Sequence, residues 1–260
     1  MKSKQQKGPH GRNIRLTIEY DGTAYYGWQI QASHKTVQGE IDRAIQEITG
    51  HHSTVFGAGR TDAGVHAQGQ VANFRTTCRI PMEKWPHAIN AHLPADITIV
   101  SAEEVPTDFH SQFHAKEKTY RYTILNRDTP SALRRVRAHL VRRPLDVEKM
   151  VEAAKALTGT HDFRAFGTEM SKKERTVRTI RELKIERVGD EVWLDFTGDG
   201  FLYNQVRAMV GTLLDVGLGR RPAEWVKEIL DGRDRTKAGV NVPAKGLCLI
   251  SIKYDAPARR

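Results

Sequence analysis

Residues 59–71 read GRTDAGVHAQGQV, a loop of small residues that runs into a stretch of strand character. Gly57, Gly59 and Gly64 permit tight or positive-φ backbone, and Ala58, Ala63 and Ala67 keep bulk away from an approaching molecule. Within this loop Asp62 alone can serve as a base or nucleophile near neutral pH without a prior shift in pKa. His66 is the one neighbour able to share that task. An Asx-type turn, with Asp62 capping local backbone, fits the same composition.

Working outward, short strands at 54–56 and 70–75 bracket the loop. Upstream, 14–20 alternates Ile, Leu, Ile, Tyr against Arg, Thr, Glu, as a half-buried strand does. Val37, Ile41, Ile45 and Ile48 then fall on one helical face, with Thr36 as N-cap and Gly50 as stop. A helix over 81–92 and a strand over 97–105 complete the order β-α-β-β-α-β. The second half repeats that order without repeating the sequence. Strands are expected at 118–125, 176–187, 191–197 and 247–254, with an added one at 137–142. Helices are expected at 146–157, 203–216 and 224–230. The pattern is α+β, two tandem ferredoxin-like units, each with an antiparallel sheet. The expected division is a basic, disordered leader over 1–12, an N-terminal domain over 13–107 and a C-terminal domain over 108–260.

The balance of 41 basic against 31 acidic residues gives a net charge of +10. An excess of that size suits a polyanionic partner, nucleic acid before anionic membrane. There is neither a signal-peptide core nor an apolar run of membrane-spanning length. Cys78 and Cys248 lie far apart and outside any CxxC pattern, which fits a reduced cytoplasm. The pairs His110/His114 and His51/His52 lack cysteines or a third ligand at a recognised spacing, so no metal site is expected. No lysine with Ser/Thr at P-loop spacing and no GxGxxG fingerprint follows the glycines, which sets aside a nucleotide cradle.

Taken with YDGTAYYGWQIQ (20–31), KTYRY (118–122), HDFRAFG (161–167), FLYNQVRAMVGTLLDVG (201–217) and GLCLISIKY (246–254), the 59–71 motif resembles the bacterial tRNA pseudouridine synthase A (TruA) family. The matches follow one another over nearly the whole chain. Gln112 and His114 stand where that family carries arginine and serine, which is where a divergent paralogue with other target uridines would differ. The resemblance implies an isomerase that breaks the N-glycosidic bond of uridine in the anticodon arm of tRNA, rotates the base and rejoins it through carbon. It also implies a homodimer that uses no metal or organic cofactor, with the two antiparallel sheets flanking a central RNA-binding cleft.

On that resemblance Asp62 is the catalytic carboxylate, attacking sugar or base or removing the 2′ proton; the residues leave the three open. Arg60 would hold a phosphate or fill the gap left by the flipped nucleotide. Tyr120 would stack on the uracil, with Tyr122 as core, and Arg207 would keep Asp62 ionised and aligned. Leu247 or Leu249 would wall the uracil pocket, and His66 would hold the loop. Basic stretches 127–143 and 172–187 are candidate tRNA tracks. The competing reading is a non-catalytic tRNA-binding or RNA-folding module, indifferent to Asp62.

Overall fold

A computed structural model describes residues 11–168 and 175–255. In chain order it holds β1 (Arg12–Tyr20), α1 (Val37–Thr49), β2 (Phe56–Gly57), β3 (His66–Thr76), α2 (Trp85–Asn90) and β4 (Ile97–Val105). The second half adds β5 (Ala115–Leu125), β6 (His139–Leu140), α3 (Val147–Ala154), β7 (Gly159–Asp162), β8 (Val177–Val188) and β9 (Glu191–Gly198). It ends with α4 (Gln205–Gly217), α5 (Trp225–Gly232) and β10 (Leu247–Tyr254).

The strands form one sheet in the order β4-β1-β3-β10-β5-β9-β8-β7, with β2 on β3 and β6 on β5. Thus β4-β1-β3-β2 in the first half and β10-β5-β9-β8 in the second follow the same spatial order. The two sheets expected to flank a cleft are instead joined edge to edge. β10 bonds β3 in parallel at Cys248↔His66 and Leu249↔Ala67, while β2 takes the far end of the same edge at Phe56↔Asn73 and Gly57↔Ala72. No local pattern in either strand signals a pairing over so long a separation.

Alternation places the core. Ile14, Leu16, Ile18 and Tyr20 of β1 are buried with Val37, Ile41, Ala44 and Ile45 of α1. Thr36 caps α1 by accepting from Gly39 N, and Gly50 ends it at φ 73°. In the second half α4 is buried almost all round, lies against α3 and shares the core with Tyr122 and Ile124 of β5.

Several elements differ from expectation for local reasons. The helix expected over 81–92 is a 3₁₀ turn at Met82–Lys84 followed by a short α2, since Pro86 is tolerated only in a first turn. The added strand over 137–142 shrinks to His139–Leu140, because residues 134–138 close a turn through Arg137 N and Ala138 N onto Arg134 O. β7 adds to the expected strands: Gly159 at φ +114° ends the helical run and opens a strand against β8. α4 begins at Gln205, not Tyr203, because Asn204 is left-handed at φ 63°. The basic leader lies outside the described residues except Gly11 and Arg12, and Arg12 already belongs to β1.

Candidate active site

The motif loop rests on a shelf made by residues 20–28. Trp28 N donates to Thr61 O at 3.1 Å, Gly64 N to Tyr25 O at 3.3 Å, and Tyr20 Oη pairs with Thr61 Oγ1 at 2.8 Å. Gly27 lies at φ +84°, and a Cβ there would meet Thr61 O at 2.4 Å. One at Gly22 would meet Val65 O at 2.0 Å. The glycines of the 20–31 motif are therefore close-approach positions that let the loop lie flat on this shelf. On its other side Gln70, fully buried, donates to Gly59 O at 2.8 Å, and Lys118 Nζ donates to Ala58 O at 2.8 Å.

Asp62 sits at the turn of this loop with a side chain 15% exposed. Its Oδ2 accepts from Arg207 Nη1 at 3.2 Å, and its Oδ1 has no hydrogen bond to the described residues. The Asx-turn alternative is not what the loop does: Gly64 N, the donor such a turn would use, goes to Tyr25 O at 3.3 Å, which leaves the carboxylate to the arginine. Arg207 is held on three sides, donating also to Val242 O at 2.8 Å and Asn204 Oδ1 at 2.9 Å. Such a half-buried guanidinium needs those partners. Burial pushes the Asp62 carboxyl up from the ordinary aspartate range, and the charge and hydrogen bond of Arg207 oppose the shift without cancelling it.

Tyr120 is buried beside the loop, its ring edge-on to Phe201 at 5.4 Å between centroids. A Cβ at Gly59 would lie 3.9 Å from its hydroxyl and 3.2 Å from Lys118 Nζ. Burial first, then the Asp62 charge, raises the Tyr120 phenol well above its usual value. Tyr122 is core, fully buried, with its hydroxyl donating to Pro243 O at 2.9 Å. Leu249 lies directly opposite Tyr120 and Leu247 opposite Tyr122, both buried on the same face of β10. Arg60 is exposed and makes neither hydrogen bond nor ion pair among the described residues. His66 is turned away from chemistry. Its Nδ1 accepts from Gly22 N at 3.1 Å and its Nε2 donates to Val136 O at 2.8 Å, which ties the loop to residues 131–138.

Asp62, Arg207 and Tyr120 thus converge, with Leu249 behind Tyr120 and Arg60 on the rim. The sequence reading passed over Lys118 and Gln70. Lys118 could have been found, because it is in phase with Tyr120 and Tyr122 on an alternating strand and so shares their inward face. Burial lowers the Lys118 ammonium below its ordinary range, and Arg178 adds to the shift. Among the described residues it has no ion pair. Of the basic tracks, Arg134, Arg137 and Arg181 are engaged with Glu191, Asp21 and Glu117, whereas 172–174 lie outside the described residues. Among the described residues no three His, Cys, Asp or Glu side chains gather as metal ligands, and no helix is long and apolar enough to cross a membrane.

A family model described as tRNA pseudouridine synthase matches residues 16–114 and 153–255. "tRNA pseudouridine synthase A 2" of Clostridium perfringens is 48% identical over 243 residues, covering 94% of this chain and 100% of that one. "tRNA pseudouridine synthase A" of Acetivibrio thermocellus is 49% identical with the same coverage, as is its namesake in Clostridium acetobutylicum. The chain belongs to the tRNA pseudouridine synthase family, in its TruA branch.

Proposed function

We propose that Asp62 is the essential carboxylate with which this chain, an isomerase, converts uridine to pseudouridine in tRNA, and that its targets lie in the anticodon stem-loop. The observation that carries the assignment is the Asp62–Arg207 pair at the tip of a loop built from small residues. Cleaving a glycosidic bond and rejoining the base through carbon calls for a carboxylate that stays ionised yet has one oxygen free. Arg207 supplies the first condition, and Oδ1 meets the second.

The target nucleotide must leave its stack to reach a group so enclosed. Tyr120 then offers a ring face to the uracil, Leu249 and Leu247 wall the pocket, and Arg60 meets a phosphate or the vacated gap. Lys118, without an acidic partner among the described residues, adds positive charge beside Gly59. The chemistry so assigned is carried by the protein's own side chains, with no metal or organic cofactor.

The shared strand order of the two halves supports reading each as a ferredoxin-like unit, divided near 107–108, with RNA lying along the junction. Homodimerisation and a cytoplasmic site of action complete the proposal. Light scattering that returned a monomer mass at micromolar concentration would remove the dimer.

The test uses purified protein, a chelator and an unmodified tRNA transcript, with carbodiimide mapping of pseudouridine before and after incubation. New marks are expected in the anticodon arm with wild-type protein and none with Asp62→Asn. Marks from both proteins would refute the assignment of Asp62. Marks confined to another arm would refute the target.

A further inference from the structure

We propose that the exposed ring stack of Phe113, His110 and Phe56 is a second stacking subsite, which takes an unpaired nucleobase of the RNA outside the uridine pocket. The inference rests on the isomerase reading above for its ligand class. Phe113 is 74% exposed and lies nearly parallel on His110, with ring centroids 4.2 Å apart and planes 30° apart. His110 in turn meets Phe56 at 5.1 Å, and Phe56 is itself 44% exposed. One face of Phe113 is therefore backed by another ring, and the other is open.

Exposed apolar side chains scattered singly are ordinary, whereas rings that touch one another in an exposed cluster mark an interaction surface. Here the backbone beneath them is fixed by a buried polar network. Ser111, fully buried, donates from N to Asn73 Oδ1 at 2.9 Å and from Oγ to Phe56 O. Asn73 donates to Asn13 Oδ1 at 3.0 Å, and Asn13 donates to Pro106 O at 3.0 Å and Phe109 O at 2.9 Å. Tyr254 Oη holds Ser111 O at 2.7 Å from the other side. The His110 ring is oriented by Gln112 N, which donates to its Nδ1 at 3.2 Å, and burial keeps it toward the neutral form. A neutral stacked pair on a fixed backbone, with Phe56 tilted 45° beneath it, is a platform of the kind on which nucleobases pile.

The platform is tied to the site at both ends. Phe56 lies two residues before Ala58, whose carbonyl holds Lys118. Phe113 lies five residues before Lys118, at most about 17 Å of extended chain. A base on Phe113 would therefore belong to the same bound RNA as the target uridine. The +10 charge of the chain favours nucleic acid over a second protein surface as the occupant.

The test compares wild-type, Phe113→Ala and Phe113→Trp proteins on one tRNA transcript, with Kd from filter binding read separately from the rate of conversion. Phe113→Ala is expected to bind at least about fivefold more weakly and to raise KM with kcat unchanged at saturation. Phe113→Trp is expected to bind like wild type, and all three should melt at the same temperature because residue 113 is at the surface. Unchanged Kd and KM in Phe113→Ala would overturn the subsite, as would a loss confined to dimer mass in light scattering. A wild-type protein that bound the transcript but converted nothing would strike the isomerase reading alone, with the Kd comparison still deciding the subsite.

Discussion

Arg207 Nη1 stands 3.2 Å from Asp62 Oδ2, closing an ion pair between residues 145 positions apart. The arginine lowers a carboxyl that burial raises. Replacing it with methionine leaves burial unopposed, so the acid limb of the rate profile should move to higher pH by at least about one unit. Arg207→Lys should recover part of the shift, because it restores the charge without the fork that also reaches Val242 and Asn204. A pH–rate profile checks this, and an unmoved acid limb would mean that Asp62 is not the group being titrated.

Lys118 gives the opposite limb. Burial lowers its ammonium, so the charge beside Ala58 and Gly59 is present below that lowered value and lost as pH rises through it. Conversion is expected to decline on the alkaline side before ordinary lysines titrate. Lys118→Arg should flatten that decline, and Lys118→Met should slow conversion about tenfold at neutral pH. An alkaline limb that persists unchanged in Lys118→Arg would assign it to another group.

Gly27 was legible as part of a motif, but its purpose needed the structure. With φ at +84° and Thr61 O 2.4 Å from where a Cβ would be, Gly27→Ala should cost about 2–4 kcal/mol in denaturant unfolding. Conversion should fall with it, since Thr61 adjoins Asp62. Wild-type stability in this variant would show that the shelf yields easily.

Asp42 tests electrostatics away from the site. It is 8% exposed, and burial, against the Val55 N–H and His52, pushes its carboxyl up to about 6 from 3.8. A folded pKa above the unfolded one means this contribution to stability is full below about pH 4 and is lost as pH rises through about 6. Asp42→Asn keeps an acceptor for Val55 N. It should raise stability at pH 7 by up to about 3 kcal/mol and change little at pH 4. Equal effects at the two pH values would refute this.

What the sequence revealed follows from how far each signal reaches. β4 and β10 span the residues expected of them, because strand character is carried by the strand's own residues. Thr36, Gly50 and Asp146 cap and end helices as read, by contacts within one turn. The β3–β10 junction joins Cys248 to His66 and had no such local trace. From its own helix Arg207 signals only a need for a partner; the family resemblance points to Asp62, and the whole sheet between them brings the two together. His66, a candidate proton donor by type, is spoken for by Gly22 and Val136, neither of which its neighbours in sequence foretell.

The most direct measurement is tritium release from carbon 5 of labelled uridine in a tRNA transcript, since rejoining the base through that carbon must displace its hydrogen. Wild-type protein should release the label. Asp62→Asn should release it at least about a thousandfold more slowly while binding the transcript with a similar Kd. Release by Asp62→Asn at the wild-type rate would contradict the role given to this carboxylate.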